Sequence, residues 1–252
     1  MIKIEKTIHG TKMITVWFAD NAVSEEGIIR YKESKVAIGE AEQFDTLISD
    51  LTEEEEEIKS HFSKGCRYEV NRAYREKTDF ELLIKDDITD VVLNEFLDFF
   101  DAFWKSKGLY MPDRNSLFEE LRGYRDNNSL LIAYAKIDDV ISVYHTLIYD
   151  DVTARLLHSA SLFRMQNEDD GKKKIIGMAN RALHFEEMKF FKQKGLKTFD
   201  WGGAGKGEDV ASITEFKKSF GGIPVTYYES ECVVGLKASL VSGISELKNR
   251  FK

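Results

Sequence analysis

The chain has 252 residues, 42% of them hydrophobic and 32% charged, which suits a soluble globular protein of one large domain or two small ones. With 36 Lys and Arg against 44 Asp and Glu the net charge is −8, which argues against a general nucleic-acid coat, since neutralising phosphates needs clustered cations. Cys66 and Cys232 form no CxxC pair, so neither a disulfide framework nor a thiolate zinc site is expected. The start MIKIEKTIHG has no apolar signal core, and no apolar run nears the roughly 20 residues that span a bilayer. A reducing, cytoplasmic setting with no integral membrane segment and no DNA partner is the expectation.

In chain order, Ile2–Glu5 and Ile14–Phe18 read as strands, with a second pair at Gly27–Tyr31 and Lys35–Ile38. Glu53–Glu57 opens a helix, where acidic residues suit the macrodipole and Thr52 suits the N-cap. The stretch Ser60–Lys77 turns basic, and Arg72 stands four residues before Glu76, a spacing that supports a helix. Its Arg72 and Arg75 fit either a solvated helix face or a local anion site, because guanidinium grips phosphate in a bidentate way.

Phe80–Lys85 reads as a strand. Val91, Val92, Phe96, Phe99, Phe100, Phe103 and Trp104 mark a helical stripe over Ile88–Ser106, and a further helix is expected at Arg114–Arg125. Three β runs follow, Ser129–Ala135, Val140–Tyr149 and Ala154–Ser161, joined by short polar turns that imply antiparallel hairpins. After a polar loop at Leu162–Lys174 come a helix at Ile175–Gln193 closed by Gly195, a strand at Leu196–Trp201 and a Gly-rich loop at Gly202–Asp209. A helix at Val210–Phe220, a strand at Pro224–Val234 and a last amphipathic helix at Gly235–Phe251 complete the series. Antiparallel strands followed by a β-α-β unit imply an α/β (α+β) fold with a mixed, mostly antiparallel central sheet flanked by helices. The expected organisation is a reduced N-terminal subdomain at 1–85 and a larger domain at 86–252.

Three stretches carry candidate chemistry. Lys172–Ala179 offers lysines and the small Gly177 and Ala179 where a loop is expected to enter a helix, a pattern open to phosphate and equally to an ordinary helix start. Gly202–Gly207 is not a P-loop, because Asp200 stands at the first glycine position and Gly207 replaces the Mg²⁺-binding hydroxyl residue. Around it stand Asp200, Trp201, Glu208, Asp209 and Lys217, with Asp200 at a strand end, where a carboxylate either serves a site or caps the loop. His145, His158 and His184 form no HExxH or HxH motif, and no GxSxG elbow occurs, so metal and serine hydrolases are demoted.

The strings GMANRALHFEEMKFFKQKGLKTFDWGG and ITEFKKSFGGIPVTYYE, within Gly177–Tyr228, resemble the FemAB-like branch of the GNAT acyltransferase superfamily. The matching features are Lys194-Gly195 after the long helix, Asp200-Trp201-Gly202-Gly203 at the strand end, and Phe216-Lys217-Lys218-Ser219-Phe220-Gly221-Gly222. RYEVNRAYREK before residue 80 resembles the N-R-x-x-R-K-A region of that branch.

The resemblance implies a GNAT fold and transfer of an acyl or aminoacyl group to an amine of an amino sugar or a peptidoglycan or polysaccharide intermediate, as in cell envelope biosynthesis. It implies acetyl-CoA or another acyl-CoA as co-substrate, with no metal. The donor pyrophosphate would be held by Lys173, Lys174, Gly177, Ala179 and Asn180, where Lys174 replaces the usual Arg or Gln of the phosphate loop. It assigns Asp200, then Glu208, as base, and Tyr144 or Tyr227 as acid toward the leaving thiolate. Arg72, Arg75, Trp201 and Lys217 would bind substrate. An aminoacyl-tRNA-dependent ligase and a non-catalytic GNAT-like binding protein stay open as alternatives, and homo-oligomerisation is left open too.

Overall fold

The computed structural model describes residues 1–8, 10–76, 80–164, 170–204, 208–235 and 238–239, and at 164 and 208–210 the backbone only. The chain divides into two compact units, Met1–Thr46 with Val225–Lys252, and Leu47–Pro224, rather than at the boundary near residue 85 expected above.

In the first unit, β1 (Ile2–Ile8) pairs antiparallel with β2 (Thr11–Trp17), from Ile2 opposite Trp17 to Ile8 opposite Thr11. Strand β2 runs parallel to β3 (Gly27–Ser34). The expected second strand at Lys35–Ile38 is not formed. Ile38 instead packs as a single side chain with Ile14, Val16, Ala19, Ile29 and Tyr31. A strand absent from the sequence reading, β4 (Glu42–Asp50), starts here and ends in the second unit. Its three acidic residues hide the pattern, and what makes it a strand is pairing on both sides. The last long strand, β10 (Ile223–Val234), pairs antiparallel with β3, giving the order β1-β2-β3-β10-β4.

The second unit continues from β4 in the order β9-β8-β7-β6-β5. Strands β5 (Glu81–Lys85), β6 (Leu130–Ile137), β7 (Val140–Tyr149) and β8 (Thr153–Ser161) form the expected antiparallel run, and β9 (Thr198–Asp200) is parallel to β8. Among the pairs described, β2 with β3 and β8 with β9 are parallel and the others are antiparallel.

Helices α1 (Glu55–Ser60), α2 (Lys64–Arg75), α3 (Asp90–Ser106), α4 (Arg114–Asp126), α5 (Asp170–Gln193) and α6 (Glu208–Lys218) complete this unit. Local chemistry starts several of them. Ser63 Oγ accepts from Cys66 N, Thr89 Oγ1 from Val92 N and Asp113 Oδ2 from Ser116 N, satisfying first-turn donors that have no partner within the helix. Thr52 is not the cap of α1: the capping position is Glu54, and the Thr52 hydroxyl donates to Asp50. Arg72 and Glu76 form the expected four-residue ion pair.

Helices α2 and α5 pack against one another, α5 covers one face of the sheet, and α3 and α4 cover the other. Alternation along β7 separates the faces: Val143 and Leu147 join the core with α5, whereas Tyr144 meets Phe96 and Phe99 of α3. Under α5, Phe62 lies edge-on to Phe185 at 5.5 Å and to Phe220 at 5.2 Å, and Trp201 stacks on Phe220 at 4.5 Å. The last expected helix, at Gly235–Phe251, lies almost wholly outside the described residues.

Candidate active site

Strand β8 pairs with β9 over only three positions, Thr153 to Arg155, and then runs on to Ser161 while β9 stops at Asp200. Where the two parallel strands part, a cleft of about 310 Å³ opens. Leu156, Ser159 and Ser161 form its β8 wall. Asn180, Arg181 and His184, on successive turns of α5, face Ser212, Phe216 and Lys217 of α6 across it. The three- and four-residue spacings put each set on one helix face. The described lining includes Lys107, Arg181 and Lys217 but no carboxylate, on a chain whose net charge is −8.

Lys217 Nζ donates to Gly202 O at 2.7 Å and Gly203 O at 2.9 Å, which ties α6 to the D-W-G-G turn. The Arg181 guanidinium lies 5.0 Å from the Phe216 ring centre, and its Nη1 donates to Gly177 O at 3.4 Å, while its Nε is buried without a hydrogen-bond partner.

Behind the cleft lies a fully buried polar group. Glu187 holds His145 Nδ1 at 2.6 Å with one carboxylate oxygen and His184 Nδ1 at 2.9 Å with the other. The two imidazoles stack at 4.1 Å, and His145 Nε2 lies 2.9 Å from the Asn180 amide oxygen. Burial, then repulsion from His145, lowers the His184 pKa from 6.5 to about 4, so at pH 7 its ring is neutral. Burial alone would raise the Glu187 carboxyl, but His145 and His184 outweigh it and hold that acid well below the usual carboxylate range. With His184 neutral, hydrogen bonding rather than charge on that ring stabilises the anion on its side. His145, His184 and Glu187 offer three ligand atoms within 4.8 Å, but these atoms already satisfy one another at hydrogen-bond distance.

The residues singled out from the sequence are distributed unevenly. Gly177, Asn180 and Lys217 line the cleft. The phosphate-loop expectation meets a correction: α5 begins at Asp170, not Ile175, so Lys173, Lys174, Gly177 and Ala179 are helical. The N–H groups of Gly177 and Ala179 fall past the first turn, where helix hydrogen bonds consume them, and the Ala179 side chain is buried in the core. Asp200 is fully buried and its Oδ1 accepts from Gly202 N at 2.7 Å, the loop-capping arrangement. Trp201 is also fully buried, with Nε1 donating to Ser49 Oγ at 3.0 Å.

Tyr144 lies on the α3 face, its hydroxyl pushed well above the ordinary tyrosine range, first by burial and then by Glu95. Tyr227 is on β10 in the other unit. Arg72 is paired with Glu76 and Arg75 is exposed, both on α2 away from the cleft lining. The side chain of Glu208 lies outside the described residues. Sequence reading missed Arg181 and the His145–Glu187–His184 group. The three-residue spacing of His184 and Glu187 was a usable signal, whereas His145, 42 residues from Glu187, gave none.

No family model and no curated protein matches the chain. Among solved structures it is similar to FemX, with a TM-score of 0.59 and 13% identity over 73% of this chain and 61% of that one, so it spans less than two thirds of FemX. The C-terminal domain (DUF2156) of an Agrobacterium fabrum protein assigned as a lysylphosphatidylglycerol synthetase gives a TM-score of 0.51 at 12% identity, covering 97% of this chain and 84% of that one. L-PGS from Bacillus licheniformis gives 0.51 at 12%, over 95% and 83%. At such identities the likeness is one of fold. That fold is the GNAT-type, FemAB-like one, a mixed and mostly antiparallel sheet flanked by helices.

Proposed function

We propose that this protein is an N-acyltransferase that moves an acyl group from a CoA-type thioester to the amine of a small or cell-surface precursor, within the cleft between β8, α5 and α6. The observation that carries this reading is the parting of β8 from β9. It leaves the Leu156–Ser161 edge of β8 unpaired with β9, beside an opening at the carboxyl end of parallel strands, where ligands of α/β sheets collect. A donor with amide groups can pair with such an edge as a further strand would. The cationic lining favours a substrate that carries phosphate or carboxylate, such as an amino sugar phosphate or a peptidoglycan intermediate. Lys217 keeps the Gly202–Gly203 turn in place beside α6.

A second donor, an aminoacyl ester on tRNA, is favoured by one specific observation. The glycine and alanine expected to wrap a pyrophosphate sit inside α5, so their N–H groups are not available for it. Thermal unfolding with acetyl-CoA, free CoA and alanyl-tRNA, at low and high salt, separates the two donors. A ligand bound only by the folded state at a hundredfold excess over Kd adds about 2.7 kcal/mol of stability. A saturable shift with acetyl-CoA supports the thioester donor, and a salt-steep shift with alanyl-tRNA alone supports the ester. No shift with either, together with no acyl transfer to glucosamine 6-phosphate by mass spectrometry, refutes the proposal.

A further inference from the structure

We infer that His184 is the group that takes the proton from the attacking amine, with Glu187 as the residue that positions its ring. The inference rests on the acyl-transfer reading of the same cleft. His184 lines that cleft and is fully buried, yet its Nε2 has no hydrogen-bond partner. An unpaired ring nitrogen in a core is destabilising, a cost that an apolar side chain in that place would avoid. The cost is offset when a substrate N–H occupies the position.

Within the His145–Glu187–His184 group the other described ring and carboxylate atoms are engaged, and the second buried unpartnered atom at the cleft, Arg181 Nε, belongs to a guanidinium that cannot accept a proton. Glu187 takes both Nδ1 groups, and Asn180 meets His145 Nε2. In the neutral ring, Nδ1–H donates to Glu187 and Nε2 keeps its lone pair, the tautomer a proton acceptor requires. The arrangement of base and orienting carboxylate is that of a nucleophile-activating dyad, here with the nucleophile supplied by substrate.

The step balances without any further reactant. The amine nitrogen bonds to the donor carbonyl carbon while its proton passes to His184 Nε2, and the bond from that carbon to sulfur or oxygen breaks. The imidazolium then returns the proton to the leaving thiolate or alkoxide. Facing the ring are Glu187 on its own helix, His145 from β7 and Lys217 from α6. The last two oppose a charge on His184 and the first favours it. Above about pH 5 the ring is therefore already in the accepting form.

Two measurements on the full chain test this. The first is ¹⁵N NMR of histidine-labelled protein at pH 7, with His184→Gln identifying the resonances. It is expected to give Nδ1–H and a bare Nε2, and a proton on Nε2 would overturn the inference whatever the activity. The second is single-turnover transfer from acetyl-CoA and from alanyl-tRNA to glucosamine 6-phosphate. His184→Gly is expected to lose about a hundredfold or more in rate, the usual scale of general-base catalysis, and to be rescued by added imidazoles in the order of their basicity. Filling the hole for structural reasons would not follow basicity.

Glu187→Gln, close in shape, is expected to slow transfer without any response to imidazole. A folded His184→Gly within about threefold of wild type sinks the inference and leaves the acyl-transfer reading standing. A wild type that transfers nothing from either donor refutes the acyl-transfer reading and, with it, the catalytic role of His184.

Discussion

Gly221 is the most sensitive point of the F-K-x-x-F-G-G segment, and the cost of filling it can be worked out. Its φ is +75°, and a Cβ there would lie 2.5 Å from His61 O, 2.6 Å from His61 Cβ and 2.8 Å from His61 C. His61 cannot simply withdraw, because its N–H is bonded to Ile58 O and Ser63 N is bonded to Ser219 O at 2.8 Å beside it. Placing alanine in the left-handed region costs roughly 1–2 kcal/mol. Relieving contacts this short against backbone adds about 1–3 kcal/mol, the range of overpacked cores. Gly221→Ala is thus expected to lose about 2–5 kcal/mol, or roughly 4–20 °C in midpoint for a unit of this size.

Gly108 supplies the control, with φ +69° and nothing within 4 Å of an added Cβ. Gly108→Ala carries only the backbone strain, roughly 1–2 kcal/mol. Thermal unfolding of wild type and both variants by circular dichroism decides the matter. Equal midpoints for the two variants would show that close approach to His61 contributes nothing and refute the reasoning.

Three further outcomes are expected. Since the His184 pKa is lower folded than unfolded, its contribution is complete above pH 6.5 and is lost as pH falls toward 4. Urea unfolding at pH 7.5 and pH 5 should differ by about 2 kcal/mol from this group, with the partly buried His158 adding in the same direction, and equal stabilities would contradict the assignment. Lys217→Ala frees the Gly202 and Gly203 carbonyls, so transfer should fall by more than about tenfold while unfolding energy drops by about 2 kcal/mol; unchanged transfer rates would remove Lys217 from the site. Arg181→Gln should weaken pyrophosphate binding by about tenfold or more, read by calorimetry, and unaltered affinity would show that the cationic lining does not recognise anions.

Much of the fold follows from local pattern. The Phe96–Phe100–Phe103 stripe needs no partner to declare a helix, and α3 spans Asp90–Ser106 with Thr89 as its cap. Short polar turns between apolar runs leave the chain of β6, β7 and β8 few ways to pair, and these strands form antiparallel neighbours. The glycines after α6 were legible as a motif, and close approach to His61 explains Gly221 while close approach to Leu47 and Trp201 explains Gly222. The same strings marked the branch of GNAT-type folds to which the structure is similar.

What required tertiary structure was every feature set by pairing over long separation. Strand β4 looks like a polar connection, because its acidic residues mask the alternation and, although Leu47 is buried in the core, its pairing with neighbouring strands leaves no mark in its own sequence. The early start of α5 was hidden because Gly171 and three lysines weaken the helical pattern there, whereas packing on α2 and the sheet stabilises the helix as a whole. Asp200 reads the same in sequence whether it serves a site or caps a turn, and only the Gly202 N–H contact places it in the turn. His145 and Glu187 belong to different elements 42 positions apart, so their hydrogen bond exists only once β7 lies beneath α5. Periodicity records which face of an element is apolar. It carries no information about which polar groups from two faces will meet, and the candidate site is made of such meetings.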